Sequence, residues 1–225
     1  MNTTLVSPEQ SQAYLTDDSI KQTITGMIDA LIASLPDAKQ LTSAERRGII
    51  ARYTAVLEGN FIYWMTAALL AIKSEDARPI ILENLHEEVR DAHPAMMRRF
   101  AIAAHAFPTD KDALDVNDGL TDMRLFMGKL SGVQSLLAMG FFEGFIQRFM
   151  AYLADLAVAE GSTDTEYTDV HGVCDVAHTE GLFKALSTEL VINPLDPDAD
   201  PLEGVHILHS LMNTVIFKPT GELAA

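Results

Sequence analysis

From Ser131 to Glu160 the chain follows one helical pattern that is apolar on nearly every face, and inside it Glu143 stands among Phe141, Phe142 and Phe145. A helix that is apolar all round has to be wrapped by other elements, so this segment predicts the centre of a larger helical fold. An ionised carboxylate in the same place is costly unless it is paired or bound to a cation. One stretch of sequence therefore asks for a bundle around it and a charge partner inside it.

The flanking sequence supplies the bundle. Apolar residues recur with the helical period and alternating runs are almost absent, which predicts an all-α chain. Ser7-Pro8 reads as a cap with proline in the first turn, opening a helix that runs to about Leu35. Thr42-Ser43-Ala44-Glu45 is close to a capping box and starts a long helix to about Lys73. Another helix covers Asp76 to Arg90, and His93-Pro94 breaks the chain before the next, which ends near Phe107-Pro108. Helices are then expected over Thr109 to Leu130 and, after the Gly161–Asp164 loop, up to Ile192, with a last one from Leu202 to Phe217. Short connections and the lack of an internal repeat predict one domain over residues 1–225.

Charge and cysteine usage exclude several classes of function. A net charge of −16 without any Lys/Arg cluster argues against nucleic-acid and anionic-membrane partners. Cys174 is the only cysteine, so there is no disulfide framework and no thiolate zinc site. Phe61 to Ile72 and Leu136 to Ile146 are too short or too interrupted to span a bilayer, and the N-terminal segment has no targeting pattern. A cytoplasmic protein is expected.

The polar residues that remain point to a metal. His171-x3-Asp175-x2-His178 puts three ligand-type side chains within about 60° on one helical face. Glu58 and Glu143 sit inside apolar helices beside glycines, Gly59 and Gly140/Gly144, that allow close approach. For Glu58 a solvated stripe or an arginine partner competes evenly with ligation; for Glu143, among phenylalanines, ligation is the better account. The segment Glu83 to His93 is crowded with Glu83, His86, Glu87, Glu88 and His93, of which only two or three can be ligands. Glu83-x2-His86 has the spacing used by ferritin-like di-iron helices. Imidazole and carboxylate donors without thiolate favour iron or manganese, and their number suffices for two ions. Arg148 or Arg90 would answer a substrate carboxylate. Asp196-x-Asp198-x-Asp200 lacks the glycine and glutamate of a calcium loop, and His206 and His209 read as ordinary core or surface residues.

Asn84-x2-Glu87-Glu88, His93-Pro94, Arg99-Phe100, Glu143 and His171-x3-Asp175-x2-His178, taken in order, resemble the heme-oxygenase-like di-iron oxidases and oxygenases, over roughly residues 45 to 190. That fold is shared with thiaminase-like and pyrroloquinoline-quinone-synthase-like proteins. The resemblance implies an all-α, single-domain bundle of about seven to eight helices. It implies two ferrous ions held by Glu58, Glu87, His93, Glu143, His171, Asp175 and His178, with His86, Glu83 or Glu88 as alternates for Glu87. O2 would be the co-substrate and a small molecule the substrate, an amino acid or derivative first and a fatty acid second. An external electron donor and a homodimer are further expectations. A non-redox thiaminase-like hydrolase or binding protein of the same fold, and a ferritin-like protein, are the alternatives.

Overall fold

The computed structural model describes residues 18–220 and, at position 18 and positions 173–176, the backbone alone. The described residues form helices without a strand: α1 (Asp18–Ala33), α2 (Ser43–Leu57), α3 (Asn60–Ala71), α4 (Arg78–Arg90), α5 (His93–Ala103), α6 (Asp110–Met127), α7 (Gly132–Ala159), α8 (Glu166–Ile192) and α9 (Glu203–Phe217). The proposed cap at Ser7-Pro8 and the C-terminal residues 221–225 lie outside the described residues.

Local chemistry explains most boundaries. Thr42 accepts from the Glu45 backbone and Glu45 returns to the Thr42 backbone, a complete capping box at the start of α2. Thr109 and Asp112 repeat the device on α6. The expected helix from Thr42 to Lys73 is instead two helices, because Gly59 takes a left-handed conformation (φ 77°) between α2 and α3. That break raises the number of helices among the described residues to nine, against the seven to eight expected. The helix that starts at His93 ends at Ala103, a turn before Pro108.

The α7 helix is the axis of the fold. Its phenylalanines, Phe141, Phe142, Phe145 and Phe149, are all fully buried, and α8 runs against it over most of its length while α1, α2, α3 and α9 cover its other sides. Edge and tilted ring contacts, Trp64 with Phe142 at 5.3 Å and Tyr53 with Phe149 at 5.6 Å, join α3 and α2 to this axis. The α4 and α5 helices lie against α8, and α5 also meets α2. This arrangement sets the carboxylates of α4 and α7 opposite the imidazoles of α8.

Candidate metal centre

The α4 helix turns Ile81, Asn84 and Glu88 inward, at i, i+3 and i+7, and leaves Glu83 and His86 exposed. Four residues after Glu88, Ala92 adopts a left-handed conformation (φ 57°) that ends the turn and starts α5 at His93, with Pro94 in the first helical turn. That tight connection folds His93 back on its own neighbour: His93 Nδ1 donates to Glu88 Oε1 at 2.8 Å. His171 arrives from α8, its Nε2 3.7 Å from the same carboxylate oxygen. The two imidazole rings cross at 65° with centroids 4.5 Å apart.

Glu88, His93 and His171 are all buried, and one ligand atom from each lies within 4.8 Å of the others. Imidazole nitrogens and carboxylate oxygens bind a divalent ion at about 2.0–2.2 Å, so donors on one ion stand up to about 4.3 Å apart, and only a small inward adjustment separates this cluster from that geometry. His171 Nδ1 donates to the Tyr167 carbonyl at 2.9 Å. A carbonyl only accepts, so Nδ1 carries a proton and Nε2 faces Glu88, where it answers the carboxylate while protonated and can act as a ligand atom once it gives up that proton. The Tyr167 ring backs the imidazole at 4.3 Å, and its hydroxyl meets that of Tyr53 at 2.9 Å. Burial by itself would raise the Glu88 carboxyl, but hydrogen bonds and charge from His171 and His93 outweigh it and hold the group at about 2. Glu88 is therefore an anion inside the protein, with two imidazoles aimed at it.

A second set of donors lies farther along α8. His178 is seven residues, about 10.5 Å, beyond His171. Its Nε2 meets Glu87 Oε2 at 2.8 Å and its Nδ1 is 3.4 Å from Glu143 Oε2. Neighbouring glutamates of α4 thus serve different histidines, because successive side chains diverge by about 100° round the helix. Glu143 belongs to both sets, since it also lines the cavity beside Glu88, His93 and His171. Leu57, Phe61, Ile62, Met97 and Ile146 supply its apolar walls. The cavity encloses about 20 Å³, room for a single water-sized body.

Of the residues expected as ligands, the structure gathers His93, His171, Glu143, His178 and Glu87, and it adds Glu88, an alternate, in the most buried cluster. Glu58 stands at the C-terminal cap of α2, partly exposed, and accepts from Arg98 Nε at 2.6 Å. The Asp175 and Cys174 side chains lie outside the described residues. Arg148 pairs with Asp29, and Arg90 is exposed and pairs with Asp91 at 2.8 Å. In the Asp196–Asp200 loop, Asp196 accepts from the Asp198 N–H and Asp200 from the Leu202 N–H, each at 2.9 Å. Two contributors were not anticipated. Tyr167 carries a readable signal, an aromatic residue one turn before a ligand-type histidine. Glu189, fully buried on α8, accepts from the backbone N–H groups of Lys73 and Ser74 at 2.8 to 3.1 Å and from Asn193 at 3.0 Å; nothing local to it in sequence marks that role.

A family model described as iron-containing redox enzyme matches residues 50–204, a span that includes every donor of both sets. Comparison with curated proteins and with solved structures finds no match.

Proposed function

We propose that this chain, which belongs to the family of iron-containing redox enzymes with the heme-oxygenase-like fold, is a non-heme oxidase or oxygenase that holds two irons between α4, α5, α7 and α8 and uses O2 to oxidise a small substrate. The observation that carries this reading is the buried Glu88, His93 and His171 cluster, whose donor types and spacing suit a divalent first-row ion. Glu87, Glu143 and His178 form the neighbouring set, close enough through Glu143 for one carboxylate to serve two ions. Asp175 and, after release from Arg98, Glu58 would complete the ligands. A cavity of about 20 Å³ has no room for a porphyrin, which favours iron bound by side chains alone.

Iron, when bound, supplies the change of oxidation state and a coordination position for O2. The rest falls to the protein. Tyr167 holds His171 in one tautomer and orientation. Glu88 and Glu143 bring negative charge that offsets the cations in a dry site. Phe61, Met97 and Ile146 give the cavity apolar walls that limit the access of bulk water. Substrate oxidation at an amino acid or derivative is the favoured reaction class, with fatty-acid oxidation second.

Anaerobic titration of the full-length chain with ferrous iron tests the proposal. Binding near two irons per chain, followed by a transient visible absorption on mixing with O2, is the expected result. Folded protein that takes up no iron would end the reading, and uptake of a single iron would remove its two-ion form.

A further inference from the structure

The donors are tightly packed: about 20 Å³ beside Glu88, His93 and His171 leaves space for a water molecule and none for an organic substrate. A larger opening lies along the same two helices. Between α1, α7 and α8 is a groove of about 180 Å³ with Gly140 and Gly144 on one wall and Thr179 and Phe183 on another. Gly140 and Gly144 bracket Glu143 on α7, and Thr179 directly follows His178 on α8. On α7 the groove-lining Gln147 is only about 40° round the helix from Glu143. A molecule in this groove would lie along the seam that carries the second set of donors.

Its chemistry is specific. The glycines let Phe183 of α8 and Ile28 of α1 close on α7 along the groove: a Cβ at Gly140 would stand 3.4 Å from the Phe183 ring, and one at Gly144 would press to 3.0 Å from Ile28 Cδ1. Lys21, Arg148 and Glu180 are the charged groups on the rim. Arg148 is engaged by Asp29. Lys21 has no carboxylate within ion-pair distance among the described residues, and its Nζ sits 5.5 Å from the centroid of the Phe183 ring. Thr179 Oγ1 is buried without a hydrogen-bond partner among the described residues. An uncommitted cation in a chain of net charge −16, an unsatisfied hydroxyl and an apolar floor complement one kind of ligand. Other depressions suit it less. One is rimmed by Asp122, Asp200, Glu203, Lys129 and His206, with its lysine already paired to Glu203, and another begins at Tyr152, more than two helical turns beyond Glu143.

We infer that this groove is the substrate cleft and that it takes a short-chain carboxylate, its carboxyl group paired with Lys21 and its chain laid along Gly140 and Gly144 toward Thr179. The inference rests on the oxidase reading for the word substrate; binding itself does not depend on iron. An amino acid and a simple fatty acid share the carboxylate, and the exposed Glu180 would add an ammonium contact only for the first.

Calorimetric titration of the full-length chain with hexanoate, norleucine and hexylamine, first without metal and then with ferrous iron under anaerobic conditions, tests this. Saturable binding of at least one of the two carboxylates, and none of hexylamine, is expected in both conditions. Tighter binding of norleucine assigns the cleft to amino acids, and equal or tighter binding of hexanoate assigns it to fatty acids. Lys21→Gln should weaken binding about tenfold while Lys21→Arg retains it. Thr179→Val should weaken binding without lowering Tm, since the hydroxyl has no partner to lose. Hexylamine binding as well as the carboxylates, no binding of either carboxylate, or unchanged affinity in both Lys21→Gln and Thr179→Val would overturn the assignment. Carboxylate binding with no iron uptake would instead retain the cleft and remove the oxidase.

Discussion

Two buried glutamates, one on α8 and one packed against it from α4, do opposite things. Glu189, near the end of α8, is surrounded by N–H donors: two backbone amides from the α3–α4 connection and the Asn193 amide. Each of those groups can only give a proton to it, so the carboxylate is satisfied within the protein and ties the connection to α8. Glu88 faces His93 and His171, and imidazole can either donate a proton or offer a lone pair. Where the Tyr167 carbonyl already accepts from Nδ1 of His171, the nitrogen turned toward Glu88 is the one that can offer a lone pair to a cation. Burial of a carboxylate is therefore no sign of a metal site by itself; the proton chemistry of its neighbours decides.

The largest test of this contrast is at Glu88. Glu88→Ala should lower iron affinity by at least about a hundredfold, read by anaerobic titration, while far-UV circular dichroism keeps its helical signal. His171→Ala should do the same. Iron uptake unchanged in both variants would show that the imidazole-facing carboxylate is no more a ligand than Glu189 is. The converse experiment comes next in size. Glu189→Ala strands the Lys73 and Ser74 amides and should cost about 3 kcal/mol in urea unfolding, with iron stoichiometry per folded chain unaltered. Loss of iron at unchanged stability would reverse the assignment of the two glutamates.

Glu58 gives a third environment, set by the backbone. Gly59 takes φ 77° with open space where a Cβ would stand, so Gly59→Ala should cost only the left-handed penalty, about 1 kcal/mol by chemical denaturation. A cost near zero would mean that the break between α2 and α3 is not held by Gly59.

The smallest effect concerns Glu160, a carboxylate answered wholly by permanent cations and a hydroxyl. Burial would raise its carboxyl, but Ser43, Arg46 and Arg47 outweigh that and hold it below the usual carboxylate range. A depressed folded value means that its stabilisation is complete above the unfolded value of about 4.3 and disappears as pH falls through the lower folded value. Glu160→Gln should therefore lose up to about 1 kcal/mol at neutral pH, and the loss should shrink as the pH falls below the unfolded value. A difference that grows on acidification would contradict the sign.

How much of this was legible beforehand follows from the range of the forces involved. Thr42 could be read as a cap because capping spans three residues, and Glu143 could be read as anomalous because its neighbours in sequence are also its neighbours on the helix. The common face of His171 and His178 follows from helical geometry alone. The break at Gly59 was missed, since a single glycine in an otherwise continuous helical pattern is compatible with either outcome until tertiary packing selects one.

What the sequence determined by itself is an all-helical chain with an apolar central helix, carboxylates and histidines at helical spacing, and no thiolate to compete for a metal. Tertiary structure alone decided that Glu88 meets His93 and His171 while Glu87 meets His178, that Arg98 holds Glu58, and that Glu189 closes a loop. The physical reason is that a helix sets the direction of each side chain relative to its own axis, through bonds within four residues. Which donors converge depends on where the axes of α4, α5, α7 and α8 cross, and that is settled by packing between residues far apart in the chain.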